Sequence, residues 1–172
     1  MRPITHLVIH HSATPSGDVA RFRKEHQARG YSDIGYHEVI GNGKGLPDGH
    51  ISRGRPHEQD GAGVYGNNSG KLQVCLIGNF ERSDQGYTGK PSPRQMAALG
   101  HWLHVNGRRY GMTDYRKVVG HREITLAGHG TACPGSEMPL REIRLWFLAN
   151  IEKSEPEPLD QYLLRDGYRF EA

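Results

Sequence analysis

The sequence predicts an α/β fold, a single domain with a central mixed β-sheet flanked by two to three helices. Three observations carry that prediction. Short apolar runs rich in β-branched residues, Leu7-Val8-Ile9, Val74-Cys75-Leu76-Ile77 and Val118-Val119, read as buried strands. Between them lie stretches with helical periodicity, the alternation that builds a sheet with helices on its faces. The chain, at 172 residues, is long enough for one proper core.

The first strand ends in His10-His11, small polar residues and Pro15. Ser16-Gly17-Asp18 starts a helix in which Val19, Phe22 and His26 share a face, and Gly30 is placed to stop it. A second strand is expected at Tyr36–Ile40, with Tyr36, Glu38 and Ile40 on one face and His37 and Val39 on the other. After the Gly41–Gly45 turn, Ile51–Arg55 can pair back as a hairpin. Residues 56 to 70 are glycine-rich and loop-like, and so long a loop in a compact domain is usually functional or mobile. Leu72–Gly78 reads as a central strand, with Cys75 as a core residue.

Ser92-Pro93-Arg94-Gln95 marks a helix start: a serine cap, proline in the first turn and glutamine three residues after the cap. Met96, Leu99, Leu103, Asn106 and Tyr110 then form its inner stripe. His101 and His104, three apart on this helix, lack a third ligand nearby in sequence. Val118–His121 is the next strand, and the loop 122–130 delivers Thr131 and Cys133. A last helix begins at Pro139, with Leu140, Ile143 and Phe147 inward. Beyond a charged linker, Asp160–Phe170 is expected to be a short docked helix or a disordered end.

The net charge of +3 is uneven, because residues 151–172 hold six acids against three bases and leave the body at +6. A basic body favours anionic surfaces, but the cations are scattered without interleaved aromatics, so no nucleic-acid partner is expected. No apolar run approaches the ~20 residues of a membrane span. No secretory signal precedes the first strand, so synthesis in the cytoplasm is expected. Two cysteines make a disulfide scaffold a poor reading.

Two strands end in histidine, at His10 and His121, and Cys133 follows the second by twelve residues. Two imidazoles and one thiolate form a borderline-soft set that suits Zn²⁺, and three protein ligands leave a fourth position for water. His129, four residues before Cys133, is a rival ligand.

With these residues in place, the chain resembles the zinc-dependent N-acetylmuramoyl-L-alanine amidases, in particular the phage-lysozyme type whose fold is shared with animal peptidoglycan recognition proteins. The matching segments are Val8–Thr14, Ile34–His37, Asn68-Ser69, Val74–Gly78, Pro93–Met96, Gly120–Glu123 and Ala132–Pro134, in family order. The resemblance implies a zinc amidase domain over 1–150, with 151–172 as an acidic C-terminal tail or short docked segment. It puts the zinc ligands on His10, His121 and Cys133, and the catalytic tyrosine on Tyr36. Thr131 stands where some phage members carry lysine, and would share oxyanion stabilisation with Tyr36. His11, His37 and Asn68 are expected to contact substrate. The chain departs from relatives at Gly61-Ala62-Gly63, where many have a loop histidine, and at Cys75, where some have an acid.

The implied reaction is hydrolysis of the bond between N-acetylmuramic acid and L-alanine, with Zn²⁺ the sole cofactor and peptidoglycan the partner. The expected setting is a monomeric phage endolysin acting in the periplasm or cell wall after holin-type release. The resemblance also admits a peptidoglycan-binding module without catalysis, a delivered toxin, and a second partner in a phage RNA polymerase.

Overall fold

A computed structural model describes residues 3–171. Five strands form one mixed sheet: β1 (His6–His11), β2 (Glu38–Ile40), β3 (Ile51–Arg53), β4 (Lys71–Leu76) and β5 (Val118–Gly120). Their order is β3-β2-β4-β1-β5. β4 lies at the centre, β1 runs parallel to it and to the edge strand β5, and β2 runs parallel to β4 on its other side. Only β3 is antiparallel, as the hairpin partner of β2. The helices are α1 (Val19–Ala28), α2 (Pro93–Arg109), α3 (Leu140–Asn150) and α4 (Leu159–Arg165).

Strand alternation sorts the side chains into two layers. Leu7 and Ile9 of β1, Leu72, Val74 and Leu76 of β4, and Val118 of β5 enter the main core with α2, α3 and α4. On the opposite face Val8, Val64 and Val119 form one small cluster, and Phe22, Ile34, Val39 and Ile77 another under α1. The second layer is thin over β1 and β4, and the cleft opens there.

Local chemistry explains the helix ends. The Asp18 carboxylate accepts the Arg21 N–H at 2.8 Å, and Gly30 takes φ +88° just past the end of α1. Ser92 and Gln95 form a reciprocal capping box on α2, with bonds of 3.0 and 3.1 Å. The stripe predicted for α2 is buried at Met96, Leu99, Leu103 and Asn106, joined by Trp102. α3 starts after Pro139 and buries Leu140, Ile143 and Phe147.

The second strand needs correction. It begins at Glu38 rather than Tyr36. Tyr36 and His37 are held by irregular bonds instead, their carbonyls accepting from Arg55 N–H and Gly54 N–H. The alternation therefore does not extend back to Tyr36. Its ring sits with Val39 and Ile77, on the face opposite Ile40 and the α2 core.

Residues 151–171 fold back across the helical layer. Leu159 and Leu163 of α4 are fully buried in the main core, and the Trp146 indole donates to the Glu157 carbonyl at 2.7 Å.

Candidate metal centre

β1 delivers two consecutive histidines, and alternation sends them to opposite faces of the sheet. His10 follows Val8 toward the cleft. His11 follows Leu7 and Ile9 toward the helical side, where its ring lies 5.9 Å from Phe80 and its Nδ1 accepts the Phe80 N–H at 3.1 Å. His121 opens a 3₁₀ turn directly after β5. That turn is fixed by Glu123, whose carboxylate accepts the Gly120 N–H at 2.7 Å and pairs with Arg144. Arg122 ties the turn to the next loop, its N–H donating to the Cys133 carbonyl at 2.8 Å. The loop is thereby folded back so that Cys133 faces β1, with a cis Cys133–Pro134 peptide.

His10, His121 and Cys133 converge. Each offers one ligand atom, and the three atoms lie within 4.8 Å of one another. The His10 and His121 rings are 4.7 Å apart, and Cys133 Sγ is 3.6 Å from His10 Nδ1. Zinc bonds of ~2.0–2.3 Å set tetrahedral ligand atoms roughly 3.5 Å apart, so the set needs to close by only about 1 Å. Among the described residues no other group of three or more such side chains could hold a metal.

The electrostatics suit a cation. Burial and the neighbouring His121 push the His10 pKa well below its usual value, and burial lowers His121. Both rings are therefore neutral at pH 7, with a lone pair available for a metal. Burial pushes the Cys133 thiol up to about 12, opposed by the His11 N–H that reaches its sulfur at 3.3 Å. A dication beside that sulfur would reverse the burial effect and release the proton.

Around the ligands, Tyr36 lies with its ring 5.1 Å from His10. Its phenol contacts the Cys75 thiol, and burial raises its pKa well above the usual value. Thr131 Oγ1 accepts the Cys133 N–H at 3.1 Å, which leaves its own O–H free to donate. A cleft of about 520 Å³ runs past His121, lined by Gly63, Tyr65, Asn68 and His129. Tyr65, 68% exposed, stacks on His129 with ring centroids 4.0 Å apart. His129 thus serves the rim and is outside the ligand set.

Two expected substrate contacts do not reach this cleft. His37 is fully buried, its Nδ1 accepting the Gln73 N–H and its Nε2 bonded to the Gln59 carbonyl, both at 3.0 Å. His11 is 7% exposed on the far face of the sheet. Asn68 does line the cleft, but its Oδ1 already accepts from Val64 N–H and from Gln73. His101 and His104 do not form a pair. His104 is buried against the Lys153 carbonyl, while His101 lines a separate cavity of about 510 Å³ on the α2 side. Gln73 was not singled out from the sequence, although an amide inside an apolar strand buried on both faces must find partners.

Residues 1–136 match the family model described as N-acetylmuramoyl-L-alanine amidase. The chain belongs to that family. The chain is similar to relatives of more than one kind. The endolysin of Enterobacteria phage K11 is 34% identical over 137 residues, which cover 76% of this chain and 80% of the phage protein. Peptidoglycan-recognition protein 2 of Holotrichia diomphalia is 29% identical over 155 residues, covering 85% and 74% respectively. Among solved structures, the N-acetylmuramoyl-L-alanine amidase LysC from Clostridium intestinale URNW superposes with a TM-score of 0.69 at 28% identity, covering 83% of each chain. The family match ends at residue 136, so it includes β1 to β5 and all three candidate ligands but leaves out α3 and α4.

Proposed function

We propose that this chain is a zinc-dependent amidase of the endolysin type, which hydrolyses the amide between the lactyl group of N-acetylmuramic acid and L-alanine. The observation that carries the reading is the convergence of His10, His121 and Cys133, of which His121 lines the cleft. Family membership and the endolysin relatives support the substrate class.

Bound zinc would acidify a water toward neutral pKa and polarise the scissile carbonyl. The protein groups do the rest. His10 and His121, neutral and buried, give the ion two nitrogen ligands, and Cys133 adds a negative sulfur. Three ligands leave a corner for solvent, which catalysis needs and a structural site lacks. The Tyr36 phenol stays protonated over the whole working range, because burial raises its pKa. It donates to the oxyanion that develops as the carbonyl becomes tetrahedral. Thr131 donates from the other loop; each such donor is typically worth ~3 kcal/mol in the transition state. The cleft beside His121 takes the muramyl peptide, with the Tyr65–His129 pair as an aromatic rim. The products are a muramyl carboxylate and a peptide with a free alanine amine.

Mass spectrometry of digested sacculi tests the reaction. Zinc-loaded protein should release peptides with N-terminal alanine, and Cys133→Ala should release none. A loaded protein that binds sacculi and cuts nothing would instead make this chain a recognition module.

A further inference from the structure

Behind His10 lies a line of hydrogen bonds whose direction is fixed at one end by the main chain. The Val64 N–H can only donate, and its partner at 2.9 Å is Asn68 Oδ1. That atom is therefore the oxygen of the Asn68 amide. Gln73 approaches the same oxygen at 2.8 Å, so the Gln73 atom facing it must be the amide nitrogen. The other end of the Gln73 amide is then Oε1, which lies 3.0 Å from His10 Nε2. A carbonyl oxygen only accepts, so the proton of the neutral His10 ring sits on Nε2. Nδ1 is the nitrogen that keeps its lone pair, and it is the atom that faces Cys133 Sγ.

We propose that Gln73 is the positioning residue of the metal centre: anchored through Asn68 to the Val64 N–H, it fixes the tautomer and plane of His10 so that Nδ1 is presented as the ligand. The inference rests on the zinc reading above for its purpose, but not for its geometry. Ligating histidines generally donate their second N–H to an oxygen acceptor, which orients the ring and raises its basicity. Here that acceptor is a neutral amide carried by the adjacent strand. Gln73 pairs with Val8 in the β1–β4 register, so its side chain shares a face with His10 and sits one pleat behind it. It is fully buried, with no water-exposed alternative for its amide.

The loop opposite is shaped to admit it. A Cβ on Gly63 would stand 2.3 Å from Gln73 Oε1 and 3.0 Å from His10 Cε1. Only glycine at 63 leaves the amide–imidazole bond intact. The same line gives Asn68 a role other than substrate contact, since its side-chain oxygen is committed twice within the protein.

The test begins with zinc-free wild-type protein labelled with ¹⁵N. Long-range ¹H–¹⁵N correlation reads each imidazole, with His10→Ala to assign the signal. His10 should carry its proton on Nε2; a proton on Nδ1 would overturn the proposal, whatever the protein does with metal. Zinc affinity is then measured by competition with a chromophoric chelator. Gln73→Leu should bind zinc about 10- to 100-fold more weakly. Asn68→Asp, which keeps an acceptor for both Val64 and Gln73, should stay within a few-fold of wild type. Wild-type affinity in a folded Gln73→Leu protein would contradict the proposal. Failure of the wild-type chain to bind zinc would contradict the zinc reading instead, leaving the tautomer result to judge Gln73.

Discussion

Single residues at this site divide by what their polar atoms touch. The Tyr36 phenol contacts only a weak partner, the Cys75 thiol, and can turn its proton to a charged oxygen when one forms. Tyr36→Phe should therefore keep full zinc affinity and lose about 10²-fold in kcat, as removal of an oxyanion donor does. Unchanged turnover would remove Tyr36 from the reaction. His11 is the opposite case. Burial pushes its pKa down to about 4, and protonating Nδ1 would break its bond from Phe80 N–H. A histidine depressed in the folded state binds its proton more weakly than the unfolded chain does. Its contribution to stability is thus complete above pH 6.5 and is lost as pH falls toward 4. The loss is at most about 3 kcal/mol. His11→Asn retains an acceptor and cannot titrate, so the melting temperature of the zinc-free protein should fall less steeply between pH 6.5 and 4. Equal slopes in the two proteins would mean that His11 does not carry this term.

Among the elements, those with a local chemical signature were legible and those shaped by distant partners were not. The capping box of α2 is written in four consecutive residues, Ser92 to Gln95. Ser92 also donates to Asp48 at 2.6 Å, which joins the helix start to the β2–β3 hairpin. Ser92→Ala should lower stability by about 1 kcal/mol in chemical denaturation; no change would show that the cap is replaced by solvent. The ends of β2 were harder to read. Period-2 reasoning carries the strand back to Tyr36, whereas Arg55 and Gly54 N–H groups hold the chain there outside the regular strand, which is tertiary information. The candidate cluster is legible in the sequence, because two histidines at the ends of apolar runs and a cysteine are unusual residues for a core, and the structure brings the three together. Its support is not. Gln73 becomes meaningful only once β1 and β4 are placed in register, and the rim pair Tyr65–His129 only once two loops meet.

On the scale of the whole molecule, the sheet separates two tasks. One face carries nearly all the large apolar side chains together with α2, α3 and α4, while α1 lies on the other. The other carries two small clusters and the cleft. Such a division makes the fold depend heavily on the helical side. The C-terminal segment belongs to that side, since Leu163 is fully buried within the main core. Leu163→Ala should cost about 2–5 kcal/mol in denaturant unfolding, like other fully buried leucines. A loss below 0.5 kcal/mol would mean that the segment is only loosely attached in solution.

The central claim is that two imidazoles and one thiolate hold zinc with a corner open to solvent. X-ray absorption at the zinc edge of the loaded protein measures this directly. The expected result is one equivalent of zinc with one sulfur at about 2.3 Å, two imidazole nitrogens near 2.0 Å and one further light atom. A zinc environment without sulfur, or one closed by four protein ligands, would contradict it.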